Sequence, residues 1–148
     1  MRGLACRYGE LRIMKNSIVL KTILVLSGLV ASGIGASILI SPSSFCAGYG
    51  IALGSNASLF NEIRAPGGAL LASGILIISG AIVDKLAFTA ALIAALLYLS
   101  YGLSRAMSIA VDGMPSEGLI LAAAFEITTG LVCVFALVRY REKGKRYA

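Results

Sequence analysis

Four apolar runs divide this chain, and its polar residues collect between and beyond them. A helix that crosses a bilayer needs about 20 predominantly apolar residues at 1.5 Å of rise each, and each run meets that length. The first, residues 18–40, ends before Pro42 and carries one charge, Lys21, close enough to the end for its stem to reach the headgroups. The second, 65–83, has no charge; the third, 86–110, has none until Arg105; the fourth, 119–138, contains Glu126. Asp84-Lys85 separates the second run from the third. The segment VDGMPSEG separates the third from the fourth, with Asp112-Gly113 as turn chemistry and Pro115-Ser116-Glu117 as a helix start. Connections this short make sequential helices antiparallel neighbours. The first connection, SPSSFCAGYGIALGSNASLF, is longer and rich in Ser and Gly, and is expected to lie along the membrane surface with a short helix of its own. The pattern predicts an all-α fold, an integral membrane four-helix bundle over residues 17–140. It is flanked by a basic tail at 1–16, expected to be disordered, and a second basic tail at 141–148.

Composition sharpens this picture. Hydrophobic residues make up 58% of the chain and charged ones 14%, with a mean hydropathy of +0.90, whereas soluble domains are about a quarter charged. The net charge of +6 does not describe a nucleic-acid surface, because the basic residues sit at the chain ends instead of forming a stripe. Eleven of the 13 Lys and Arg residues fall on one side if both termini are cytoplasmic, leaving only Arg64 and Arg105 outside. Positive flanks are retained on the cytoplasmic side, so this orientation, in the plasma (inner) membrane, is the expected one. The first run exceeds the 7–15 residues of a signal-peptide core and is read as a span. Met14 offers a second plausible start, with residues 1–13 as an extension.

The three cysteines, Cys6, Cys46 and Cys133, form no CxxC pair, and there is no histidine. Histidine-based zinc or haem sites and Ser-His or Cys-His catalysis are thereby excluded. No cofactor or metal and no enzymatic activity are expected. The expected partners are the lipid bilayer and a second copy or another membrane subunit.

Small residues four apart allow helix backbones to approach closely in lipid. Ser27, Ala31 and Gly35, with Gly28, Ser32 and Ala36 beside them, mark such faces in the first run; Gly67, Gly68, Ala72 and Gly74 do so in the second, and Ala87, Ala91 and Ala95 in the third.

Glu126 is the one acid inside an apolar run, where an unpaired charge costs at least about 2.5 kcal/mol. At 1.5 Å per residue it lies roughly 12 Å in from the outer edge, and Arg105 lies roughly 7 Å in from the same edge, so the two are within an arginine's reach of each other. Arg105 belongs to a stripe with Tyr98, Gly102, Ser108 and Asp112; Glu126 belongs to one with Ala122, Thr129 and Cys133. In the stretch NEIRAPGG, Glu62 and Arg64 are two residues apart and cannot face each other on a helix. The pairings expected from this geometry are Arg64 with Glu126 or Asp112, and Glu62 with Arg105. Pro66 is expected to begin or bend the second helix, and Gly67-Gly68 to admit a neighbouring backbone or a ligand. Glu62, Arg64, Arg105, Ser108, Asp112 and Glu126 thus form a candidate outer-leaflet cluster, either structural or ligand-binding. The competing expectation is a small proton-coupled transporter that uses Glu126. Asn56-Ala57-Ser58 also matches a glycosylation sequon, a pattern that chance supplies often.

These residues resemble a family of small bacterial membrane proteins, domain of unknown function 4345. The likeness rests on Glu62-Ile63-Arg64-Ala65 followed by Gly67-Gly68, on Arg105, Ser108, Asp112-Gly113 and Pro115, on Glu126, and on Tyr49-Gly50 after Pro42 and Phe45. It covers about residues 17–140. It implies a four-helix membrane protein and no particular reaction or ligand; Pro66 departs from the apolar residue more usual there.

Overall fold

The computed structural model describes residues 18–146, with side chains through Arg139; the expected tail at 1–16 lies outside the described residues. The helices are α1 (Ile18–Ile40), α2 (Pro42–Ala47), α3 (Ala57–Ile82), α4 (Ala87–Asp112) and α5 (Glu117–Arg146), and a single 3-10 turn at Asp84–Leu86 joins α3 to α4. No strand occurs among the described residues. Four helices, α1, α3, α4 with its preceding turn, and α5 through Arg139, are long and apolar enough to cross a membrane. Large apolar side chains stay exposed on all four, Leu29, Ile75, Leu96 and Leu121 among them. Such faces suit a hydrocarbon solvent and not water.

Two boundaries differ from those read off the run pattern. Helix α3 begins at Ala57, eight residues ahead of the expected Ala65. Asn56 is the cause: its Oδ1 accepts the N–H groups of Ser58 and Leu59 at 3.0 and 3.3 Å, satisfying two of the free donors at the helix start. The residue that resembled a sequon is a helix cap. Pro66 therefore lies inside α3 and does not begin it. Lacking an N–H, it leaves the Glu62 carbonyl without the usual bond one turn on. At the other end of the chain, α5 continues beyond Val138 through Arg146, so the first six residues of the 141–148 segment prolong the last helix. The turn chemistry at 112–113 holds: α4 stops at Asp112, and Gly113 takes φ +97°, a backbone state that glycine adopts without penalty.

The bundle is built from two closely packed antiparallel pairs, α1 with α3 and α4 with α5. Glycines create both seams. A Cβ on Gly35 would come within 2.5 Å of the Leu71 nitrogen, and one on Gly28 within 2.8 Å of the Gly74 carbonyl. On the second seam, a Cβ on Gly102 would lie 3.0 Å from the Ile127 nitrogen, and one on Gly130 would lie 3.0 Å from the Leu99 nitrogen. The two pairs meet through α4, whose Ala87, Ala90, Ala91, Ala94 and Ala95 are all buried against a core that includes Leu20, Leu24 and Ile77. Lys21 and Asp84 form an ion pair of 3.0 Å at that end of the bundle. One turn beyond Ala95 the small residues give way to Tyr98, Tyr101 and Arg105, and the space between the pairs widens into a cavity.

Candidate binding cavity

The cavity, open on one side, has a volume of about 270 Å³ and is lined by all four long helices together with α2 and the turn after it. On α1 the wall runs from Val30 to Ile38, and on α4 from Leu97 to Arg105. At 1.5 Å per residue these segments extend roughly 12 Å along the bundle. Tyr98 forms the floor. Its hydroxyl donates to the Ser27 carbonyl of α1, and its ring meets Phe125 of α5 edge to face with centroids 5.9 Å apart. Phe45 and Tyr49, an edge-to-face pair at 5.4 Å, cover the opposite end. Tyr49 also reaches α5, where a Cβ on Gly118 would lie 3.2 Å from its ring.

The polar groups gather toward the covered end. Arg105 and Glu126 are brought together across the α4–α5 seam, and both carboxylate oxygens accept from Arg105 Nε, at 2.9 and 3.2 Å. The Glu126 side chain is 12% exposed and that of Arg105 34%. Gly102, one turn before Arg105, supplies the close contact: a Cβ there would stand 3.3 Å from the Cβ of Glu126. Because Nε alone holds the carboxylate, the terminal guanidinium nitrogens have no protein partner among the described residues.

The remaining cluster residues separate. Glu62 lines the cavity but forms no ion pair with Arg105. Arg64 turns the other way: its Nε donates to the Leu39 carbonyl at 3.3 Å and its guanidinium lies 5.6 Å from the centre of the Phe60 ring. It meets neither Glu126 nor Asp112. Two residues on a helix differ by about 200° in direction, which puts Glu62 and Arg64 on opposite faces. Leu39 is in the last turn of α1, where carbonyls lack helical donors and a cation is favoured, so Arg64 is a clasp on the α1 terminus. Ser108 donates to Asp112 Oδ2 at 2.8 Å in an exposed contact within α4, apart from the cavity. Of the two glycines expected to allow close approach, Gly67 does, with a would-be Cβ 2.6 Å from Ile38 Cγ2; Gly68 does not, having nothing within 4 Å.

The family model of a domain of unknown function (DUF4345) matches residues 19–137, which include all four long helices through the last turn before Arg139 and every residue of the cavity. The chain belongs to the DUF4345 family. No curated protein and no solved structure matches it. In this DUF4345 chain the family-like residues divide by role: Tyr49, Glu62, Arg105 and Glu126 face the cavity, Arg64 clasps a helix end, and Asp112-Gly113 makes a turn. Of the aromatic lining, Tyr101 and Phe125 were not singled out from the sequence, although the three-and-four spacing of Tyr98, Tyr101 and Arg105 carries the signal for Tyr101. No group of three or more metal-ligating side chains occurs among the described residues.

Proposed function

We propose that this protein is a non-enzymatic multi-pass protein of the bacterial plasma (inner) membrane, with both termini cytoplasmic, that holds a small amphiphile in the cavity between its two helix pairs. The observation that carries the reading is the cavity's makeup: apolar and aromatic walls along its length, and Glu62, Arg105 and Glu126 gathered toward one end. Ligand sites have this character, a mostly apolar hollow with a few convergent polar groups. Its size selects the occupant. About 270 Å³ is nearly twice the roughly 150 Å³ that accepts benzene and falls just under the roughly 300–1,000 Å³ of drug-sized pockets. A single ring with a short chain, or one short acyl segment, matches it.

The competing reading, a transporter that cycles a proton on Glu126, fits this geometry less well. Both Glu126 oxygens accept from Arg105 Nε, so a proton could be exchanged there only after that contact is broken. The orientation rests on the positive flanks and on the Lys21–Asp84 pair lying at the end of the bundle opposite Glu62.

The test is binding of phenylbutanol, a neutral ring with a short chain, to the full-length protein in lipid nanodiscs, with partition into empty discs subtracted. Saturable binding is expected. Ala122→Trp, which places a large ring in the hollow from α5, should weaken it by roughly tenfold or more while the thermal midpoint holds. Absence of saturable binding, or binding that survives Ala122→Trp unchanged, overturns the proposal.

A further inference from the structure

We infer that the occupant of this cavity is a cation, a small amphiphile with one positive charge beside an aromatic or short alkyl body. The inference rests on the amphiphile-binding reading above and adds the chemical class of the ligand. Its first ground is the charge left over at the polar end. Arg105 and Glu126 neutralise each other, and Arg64, the nearest cation in sequence, is engaged on the far face of α3 by Leu39 and Phe60. Glu62 lines the same cavity with no hydrogen-bond or ion-pair partner among the described residues. One carboxylate therefore remains uncompensated at the polar end of an otherwise apolar hollow.

The second ground is the lining of the hollow. Phe45, Tyr49, Tyr98, Tyr101 and Phe125 contribute five rings, and the face of an aromatic ring attracts a cation. An anion entering here would find the terminal nitrogens of Arg105, but it would face two carboxylates, Glu62 and Glu126, against that one guanidinium. A neutral guest would leave Glu62 as it stands.

The experiment compares three probes of like shape, phenylbutylammonium, phenylbutanol and phenylbutyrate, on the full-length protein in nanodiscs of zwitterionic lipid at neutral pH, each corrected for empty discs. The ammonium probe is expected to bind about tenfold more tightly than the alcohol, as one charge-assisted contact supplies, and phenylbutyrate more weakly than the alcohol. Glu62→Gln should bring the ammonium probe to within about twofold of the alcohol and leave the thermal midpoint unchanged, since Glu62 is exposed and bonded to nothing that folding depends on. Equal binding of all three probes, or a preference for phenylbutyrate, overturns the charge assignment and leaves the amphiphile cavity intact. Failure of all three to bind overturns the cavity reading itself. A cation preference that survives Glu62→Gln removes Glu62 from the role given to it.

Discussion

Arg105 and Glu126 show how a chain places an acid inside an apolar helix without leaving it bare. Each alone would carry the cost of a charge away from water; together, with both carboxylate oxygens on one guanidinium nitrogen, they form a neutral unit tying α4 to α5. A hydrogen bond to a charged group contributes about 1.5–3 kcal/mol, and the part-exposed arginine argues for the lower part of that range. Arg105→Ala is expected to destabilise the protein by about 2 kcal/mol, and the Arg105→Ala/Glu126→Ala double variant by less than the sum of the two single changes. Reversible unfolding in mixed detergent micelles measures this, and strict additivity would dissolve the pair as an energetic unit. This contact was legible in the sequence because depth along a helix is arithmetic: the offsets of residues 105 and 126 from a common turn put them within reach. The surroundings of Glu62 and the partner of Arg64 were not legible. Spacing shows that they face apart, yet which neighbour each face meets depends on helix rotation, and Arg64 met a carbonyl, an acceptor that no side-chain pattern advertises.

Among the elements, the α1–α3 seam is set by glycine as a contact surface and α3 by a cap that overrides a proline. The small-residue spacing marks contact faces on the first two runs, and the structure sets Gly28, Gly35, Gly67 and Gly74 where α1 meets α3. Gly68 occupies the neighbouring line but meets nothing, because one residue turns the side-chain direction by about 100°. This difference yields a paired prediction. Gly35→Ala places a methyl group against the Leu71 backbone and should cost about 1–3 kcal/mol, as overpacking does. Gly68→Ala has open space and should be neutral or stabilise by up to about 1 kcal/mol through helix propensity. Unfolding curves of the two variants side by side decide it, and equal effects would mean that the seam is not where the glycines place it. The start of α3 escaped the run pattern because residues 57–64 include Asn61, Glu62 and Arg64 and do not read as apolar. A helix that emerges beyond the apolar segment is held by its cap, and the signal was the Asn56 side chain beside two orphan donors.

For the molecule as a whole, the sequence told which faces meet but not how far apart they stand. The cavity arises where the α4 alanines end and tyrosines begin, and its volume is a property of four helices and a loop jointly, so no single run encodes it. Orientation is the reverse case, since it is carried by charge counts that need no packing. The fold puts the 41–56 connection and the α4–α5 turn at one end of the bundle and the 3-10 turn with Lys85 at the other, with Lys21 beside Asp84. The proposed orientation, with positive flanks retained in the cytoplasm, puts Ser55 and Met114 outside and Lys85 inside. All three are exposed, Met114 at 78%, whereas Cys46 and Cys133 are buried, so with Cys6→Ser as the background, cysteines introduced at residues 55, 85 and 114 can be read against that background as baseline. In intact cells a membrane-impermeant maleimide should label Ser55→Cys and Met114→Cys, and should reach Lys85→Cys only after the membrane is opened. Labelling of Lys85→Cys in sealed cells, with the other two protected, would invert the bundle and move Glu62 and its cavity to the cytoplasmic leaflet. The occupant would then have to arrive from the cytoplasm.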